Sequence, residues 1–220
     1  MLESRVRQLI ESEQRLLRAK RRDLQTRSRG RPWAVAGIGL AFFGALWALT
    51  VAVSDAPWHV VTVFWMFVGT GITLWVRRDL NKDVPAFDAM LVGINSALQA
   101  NKAKSIDVKA KAFVSFEEVE DEGACYAFEV CEDTLFFLLG QQYYEKARFP
   151  SLDFSLVQSL DERGRIVDEW IVKRGPKATP DRVIPAAQKW QLNLPDDQVS
   201  IKGRLDEIEA LLGTRSGAAV

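Results

Sequence analysis

Tyrosine and glutamine side chains are grouped where an apolar strand pattern ends. Residues 141–144 read QQYY and directly follow Gly140 and the run Thr134–Leu139. Polar side chains at the end of a strand are often placed around a pocket by the sheet beneath them. Gln141 and Tyr143 are therefore predicted to line a candidate pocket. This pattern occurs at many strand ends, so it indicates no particular ligand.

An acidic run and two cysteines are the other features of the sequence that could bind a metal or take part in a reaction. Residues 117–122 carry five acidic side chains but lack the alternating spacing and turn glycine of a calcium loop. Cys125 and Cys131 have no histidine nearby, so neither zinc nor a disulfide framework is indicated. No hydrolase or nucleotide-binding motif is present. We predict no catalytic residue, no metal and no cofactor, although an unrecognised metal or acid–base site stays an alternative.

Two apolar segments stand in front of these residues in the chain. Residues 33–53 carry no charge, and 58–76 contain only one ionisable side chain, His59. About 20 apolar helical residues cross a hydrocarbon core of roughly 30 Å. The short stretch 54–57, SDAP, separates the two segments. The sequence therefore predicts a transmembrane hairpin of two helices, 33–53 and 58–76.

The residues around these segments predict their orientation. Trp33, Trp58 and Trp75 lie at segment ends, where indole rings favour the membrane interface. Arg77 and Arg78 follow the second segment, a basic region precedes the first, and the turn carries no Lys or Arg. Because basic residues stay in the cytoplasm, we predict a multi-pass protein of the bacterial inner (cytoplasmic) membrane with both termini cytoplasmic.

Small side chains recur along the first apolar segment. Gly37, Ala41, Gly44 and Ala48 are spaced three or four residues apart. Such a stripe lets another helix approach closely in lipid. These four residues are predicted to pack against a helix, and the partner is either the second helix of the same chain or another copy in a homo-oligomer.

Helices are predicted on both sides of the apolar segments. Residues 1–30 combine a leucine face with many basic residues, which favours a basic amphipathic helix. Its position beside the membrane favours anionic lipid as the partner, and no nucleic acid. Residues 83–104 follow the helical period and predict a juxtamembrane amphipathic helix.

Residues 105–213 change to the two-residue period of strands. Ile106, Val108, Val114 and Phe116 are predicted to share one face of a strand pattern. Further short runs predict a small β-rich cytoplasmic domain, an antiparallel sandwich or barrel with α+β character. Residues 214–220 are predicted to be a frayed tail. The core is predicted to contain five aromatic residues: Phe116, Phe128, Phe137, Phe154 and Trp170.

One stretch resembles a known type of domain. Val119–Val157 combines an acidic turn at Gly123, the Gly140-Gln141 step and Phe149-Pro150. It resembles a membrane-protein domain of unknown function that recurs in uncharacterised bacterial proteins. The resemblance implies a bacterial origin and a β-rich module, and it implies no role for any residue.

The charge distribution completes the functional prediction. The chain has no net charge, but residues 1–82 carry 13 Lys and Arg against 6 Asp and Glu, so the remainder is acidic. We predict a non-enzymatic integral inner-membrane protein that anchors a cytoplasmic recognition or assembly module. Two alternatives stay open. One is an accessory subunit of a larger respiratory, photosynthetic or channel-like membrane complex, and the other is a membrane-anchored enzyme.

Overall fold

The chain divides into two compact units. The computed structural model describes residues 1–53, 57–82, 84–131 and 133–213. The helical unit comprises Leu9–Asn101 and Asp161–Val167, and the sheet unit comprises Met1–Gln8, Lys102–Leu160 and Asp168–Val220. Most of the predicted turn (54–56) and the predicted tail (214–220) lie outside the described residues.

Three helices form most of the helical unit: α1 (Glu11–Val53), α2 (Trp58–Asn81) and α3 (Val84–Ala100). Two tryptophans join α1 to α2. Trp47 Nε1 donates a hydrogen bond to Thr62 Oγ1 at 3.0 Å, and Trp65 Nε1 donates one to Thr50 Oγ1 at 3.1 Å. Each polar edge of an indole ring is therefore satisfied between two otherwise apolar helix faces.

The predicted fold class is wrong. In the part of the chain that the structure describes, there are helices and two separate sheets, and no hairpin of two spanning helices is evident. Among the described residues, only Trp58–Val76 is long and apolar enough to span a membrane. The predicted first span is part of the long helix α1, whose described apolar portion, Gly37–Val53, falls below the length of about 20 residues that a crossing needs.

The sheet unit contains two sheets and short helical segments. The strands are β1 (Leu2–Gln8), β2 (Lys102–Lys109), β3 (Ala112–Phe116), β4 (Ala124–Cys131), β5 (Thr134–Gly140), β6 (Asp153–Leu160), β7 (Ile166–Lys173), β8 (Arg182–Ile184) and β9 (Ser200–Lys202). The short helices are α4 (Ala186–Lys189) and α5 (Ile208–Leu212). One sheet has the order β1-β2-β6-β7, and the other has the order β8-β3-β4-β5-β9. The β3–β8 pair is parallel, whereas β1–β2, β2–β6, β3–β4, β4–β5 and β5–β9 are antiparallel.

Two hydrophobic cores lie on opposite faces of the five-stranded sheet. The first core joins both sheets and contains stacked rings of Phe113 and Phe128, whose centroids are 5.3 Å apart. Phe154 of β6 closes this core from the other sheet, 5.1 Å from Phe128. The second core lies on the opposite face, where Leu205 and Ile208 near the C-terminus cover Phe116, Phe137 and their neighbours.

Two local predictions in this unit are wrong. Residues 2–8 form strand β1, not the start of a helix, because they pair with β2 along its length. Ile106 and Val108 also do not share a face with Val114 and Phe116. The chain passes from one sheet to the other between β2 and β3, so the first pair enters the first core and the second pair enters the second core.

Candidate functional site

The candidate site is a cavity of about 290 Å³ in the sheet unit. A single 3-10 turn, Gln141–Tyr143, follows β5, and this turn with the next residue supplies Gln142, Tyr143 and Tyr144 to the lining. The lining continues with Lys146 and Phe149, which exchange two backbone hydrogen bonds across a tight turn. Strand β7 supplies the remaining lining residues: Glu169, Trp170, Ile171 and Lys173.

Two glycines allow the 3-10 turn to sit where it does. Gly123 has a φ of +93°, and a Cβ atom there would lie 2.3 Å from the backbone nitrogen of Gln141. Gly140 has a φ of +139°, and a Cβ atom there would overlap the side chain of Gln142. Both conformations are rare for residues with a side chain. The acidic turn that contains Gly123 therefore packs directly on the backbone that presents the cavity residues.

A hydrogen-bonded network lies behind the cavity wall. The hydroxyl group of Tyr143 donates toward Glu169 Oε1 and lies 3.1 Å from Asp197 Oδ2. The Nε2 atoms of Gln158 and Gln198 donate to Glu169 Oε2 at 2.8 and 2.7 Å. Both oxygens of Glu169 therefore already accept hydrogen bonds from the protein.

The network contains two carboxyl groups and one shared phenol proton. Burial and the nearby charge of Glu169 raise the pKa of Asp197, although hydrogen bonds from Leu139, Gln198 and Tyr143 oppose the shift. Burial and the hydrogen bond to Glu169 raise the pKa of Tyr143, so its hydroxyl stays protonated. Two carboxyl groups with different environments are the arrangement that acid–base chemistry uses.

The cavity lining carries more positive than negative charge. Lys146 is exposed and Lys173 is partly buried. Within the described part of the chain, neither ammonium group forms an ion pair with a carboxylate. Glu169 is the one carboxylate among the lining residues. The lining residues therefore carry two positive charges and one negative charge.

A second space lies in the helical unit and has a different character. It measures about 420 Å³ between α1 and α2 and is lined by apolar side chains, glycines and threonines, including Trp47, Trp65 and Gly69. None of its described lining residues is charged. The smaller cavity is the better functional candidate because it combines aromatic rings with converging charged and hydrogen-bonding groups.

The two residues predicted to form a pocket are separated by the structure. Tyr143 lies in the cavity wall, whereas Gln141 turns to the acidic loop and donates from Nε2 to the backbone oxygen of Asp121 at 2.8 Å. Trp170 was predicted to lie in the core, but it is only partly buried and lines the cavity. That the cavity binds a ligand stays a prediction.

The predicted membrane residues lie in the helical unit. Trp58 begins α2 and Trp75 lies near the end of its apolar part, and both are largely exposed, as is Arg78. The side chains of Trp33 and Arg77 lie outside the described residues. The four small residues, Gly37, Ala41, Gly44 and Ala48, are all exposed on the single chain. Their predicted role in helix packing stays untested.

Sequence reasoning missed Glu169, Asp197, Gln158 and Gln198. They lie on three separate segments, so their proximity depends on the pairing of β6 with β7 and on the loop before β9. Glu169 follows Asp168 in the middle of a strand pattern, and a carboxylate at this position was the available signal. Among the described residues, no group of three or more His, Cys, Asp or Glu side chains is placed to hold a metal.

No family model, no curated protein and no solved structure matches this chain.

Proposed function

We propose that this protein is a membrane-held binding protein, in which the sheet unit recognises a small ligand in the cavity beside Tyr143. The single observation that carries the proposal is the cavity itself: aromatic rings, two lysines and one carboxylate converge on about 290 Å³. This volume is at the lower end of ligand pockets, which span roughly 300–1,000 Å³. The proposal keeps the sequence-based prediction of a non-enzymatic recognition module.

The wall of this cavity is held in place by contacts within the protein, so a ligand does not have to order it. Tyr143 and Phe149 are buried, and Tyr143 is fixed by the carboxyl groups of Glu169 and Asp197. A site whose groups are already positioned costs less conformational entropy to occupy. The preformed wall therefore supports binding as the role of the cavity.

The membrane part of the proposal concerns α2. Only 6% of the most apolar stretch within Trp58–Val76 is buried. The core helix of a water-soluble protein, in contrast, is mostly buried. Phe67, Trp58 and Met66 are each more than half exposed. A continuous apolar surface of this size indicates a membrane or another apolar partner. We therefore propose that α2 lies in a lipid bilayer.

The choice of membrane and side follows from charge and strand pairing. Arg78 and Lys82 follow the apolar part of α2, and basic residues favour the cytoplasmic side of the bacterial inner membrane. Strand β1 precedes the helices and pairs with β2, which follows them, so α2 is not a lone crossing, and we propose that it lies embedded from the cytoplasmic side of the bilayer. Contact of the basic residues of α1 with anionic lipid is part of this proposal.

Ligand-observed NMR tests the binding role. Phenyl phosphate, benzoate, benzyl alcohol and benzylamine are mixed with the full chain in lipid nanodiscs, and saturation transfer to each probe is measured. Gln142→Trp adds bulk at an exposed lining position, whereas the control, Gln191→Trp, adds it at an exposed position of the same unit outside the cavity. We expect transfer to at least one probe to be lost in Gln142→Trp and kept in Gln191→Trp. Equal transfer in both variants would contradict a cavity site.

A second candidate function is favoured by one observation, the sharing of the Tyr143 proton between Glu169 and Asp197. This arrangement supports the alternative of a membrane-anchored enzyme with an acid–base site. Time-resolved NMR of phenyl phosphate with the protein separates the two functions. Hydrolysis by water to phenol and phosphate that disappears in Glu169→Gln would support the enzyme, and an unchanged probe supports the binding protein.

Assembly with other subunits remains a prediction. The stripe at Gly37, Ala41, Gly44 and Ala48 suits a homo-oligomer or a larger membrane complex, because all four residues are exposed on the single chain. Crosslinking in native membranes, compared between the wild type and Gly37→Leu/Ala41→Leu, measures whether the stripe is used.

A further inference from the structure

The charges around the cavity are unequally compensated. Glu169 accepts hydrogen bonds on both carboxylate oxygens, from Tyr143 on Oε1 and from Gln158 and Gln198 on Oε2. Lys146 and Lys173 form no ion pair with any carboxylate in the described residues. A ligand that enters the cavity therefore meets two open ammonium groups and one carboxylate whose oxygens are already occupied.

Aromatic side chains make up a large part of the cavity lining. Phe149 is fully buried, and its ring packs edge-on against Phe154, with centroids 5.5 Å apart, so this part of the wall is rigid. Trp170 is partly exposed, and Tyr144 is held at its hydroxyl group by Glu118. Planar apolar groups bind favourably against such rings through stacking or edge contacts.

We propose that the cavity binds a small organic anion with a planar apolar body, and that Lys146 and Lys173 hold its anionic group. The inference rests on the proposed binding function and specifies the class of ligand. A carboxylate and a phosphate share the required chemistry, since each offers anionic oxygens to an ammonium donor. An organic cation is disfavoured because it would face both lysines while Glu169 is already hydrogen-bonded.

The polar network explains why a carboxylate can line an anion site. The pKa of Asp197 is raised by burial and by the charge of Glu169, which reduces the negative charge behind the wall as the pH falls. The bonds from Tyr143, Gln158 and Gln198 place N–H and O–H dipoles toward Glu169 and partly offset its charge. Among the lining residues, the two lysines then outnumber the one carboxylate.

Calorimetric titration of the full chain in nanodiscs tests the ligand class with four phenyl compounds of different charge. Phenyl phosphate and benzoate are expected to bind, benzyl alcohol to bind at least roughly tenfold more weakly, and benzylamine not to bind, because a tenfold ratio needs only about 1.4 kcal/mol of charge interaction. Binding of the two anions should weaken with salt, since the Debye length falls from about 10 Å at 0.1 M to about 3 Å at 1 M.

A charge-matched pair of variants assigns the effect to these lysines. Lys146→Gln/Lys173→Gln should weaken anion binding by roughly tenfold or more, whereas Lys109→Gln/Lys111→Gln removes the same charge at exposed positions outside the cavity lining and should not. Preferred binding of benzylamine or benzyl alcohol that Gln142→Trp blocks would overturn the anion inference and leave the binding function standing. Absence of binding by all four probes would overturn both, and equal weakening by the two double variants would overturn the lysine assignment.

Discussion

At the scale of single residues, backbone space at a few positions determines whether the site forms. Gly123 and Gly164 both have a positive φ, of +93° and +76°. They differ in their surroundings, because a Cβ atom at Gly123 would meet the backbone of Gly140 and Gln141, whereas a Cβ atom at Gly164 would meet nothing within 4 Å. Substitution of Gly123 therefore tests a steric contact together with the positive φ, whereas substitution of Gly164 tests the positive φ alone.

We expect Gly123→Ala to lower the free energy of unfolding of the protein by about 2–4 kcal/mol, because the overlap is with backbone that cannot rotate away. Gly164→Ala should cost only about 1–2 kcal/mol, the penalty of the left-handed conformation. Urea denaturation followed by circular dichroism measures both. Equal losses in the two variants would show that the contact between Gly123 and the 3-10 turn is unimportant.

Asp107 is the residue whose ionisation should affect stability most clearly. Burial opposes ionisation, but the hydrogen bond from Ser155 and the charges of Arg174 and Arg5, 3.1 and 3.3 Å away, lower the pKa of Asp107 below the usual range of an aspartate. A carboxyl group with a lowered pKa in the folded state stabilises that state above about pH 4, and the contribution disappears as the pH falls through the folded-state pKa.

Asp107→Asn should therefore cost roughly 1–2 kcal/mol at neutral pH, in the range for hydrogen bonds to a charged group and reduced because both arginines are partly exposed. Its unfolding free energy should also decline less steeply below about pH 4. Denaturation curves across that range measure the slope, with Asp181→Asn as a control at an exposed aspartate. A slope that is unchanged in Asp107→Asn would contradict this account.

At the scale of elements, local periods in the sequence identified several strands but not their partners. The predicted strand run Thr134–Leu139 coincides with β5, because consecutive apolar residues of this run are buried against cores on both faces of the sheet. The prediction of a helix at residues 2–8 is wrong, because their pairing with β2, about a hundred residues later in the chain, overrides the local helical pattern. The cavity could be predicted only in part for the same reason. Tyr143 directly follows a strand in the sequence, whereas Glu169 and Asp197 come close to its hydroxyl group only through tertiary structure.

Helix α2 gives the prediction that belongs to this scale. Phe64 and Phe67 lie in the middle of Trp58–Val76 and are exposed. If α2 lies in lipid, Phe64→Arg/Phe67→Arg should lower the fraction of protein that resists alkaline carbonate extraction, because each central arginine costs roughly 2.5–3.5 kcal/mol in membrane insertion. The same substitutions at Val172 and Val183, which are exposed in the sheet unit, should leave that fraction unchanged. Full extraction of the wild type would contradict a membrane-embedded α2.

At the scale of the whole molecule, the exposed apolar surface and the charged cavity belong to different units. The exposed apolar surface belongs to α2 of the helical unit, and the charged cavity belongs to the sheet unit. Composition alone concealed this division, since the chain has no net charge and an average hydrophobic content of 48%. The charge count of residues 1–82 indicated a basic first part, but the predicted number of spans was wrong, because the described apolar portion of α1, Gly37–Val53, is shorter than a crossing needs.

The central claim is that a small ligand occupies the cavity beside Tyr143, and the most direct test observes the lysines of the cavity themselves. Reductive methylation with ¹³C labels each lysine and keeps its charge, so that NMR of the full chain in nanodiscs follows every lysine separately during titration with phenyl phosphate. The account predicts saturable shifts with one common affinity for Lys146 and Lys173, and unshifted signals for Lys109 and Lys111. Shifts of similar size at all four lysines without saturation, or no shift at Lys146 and Lys173, would contradict it.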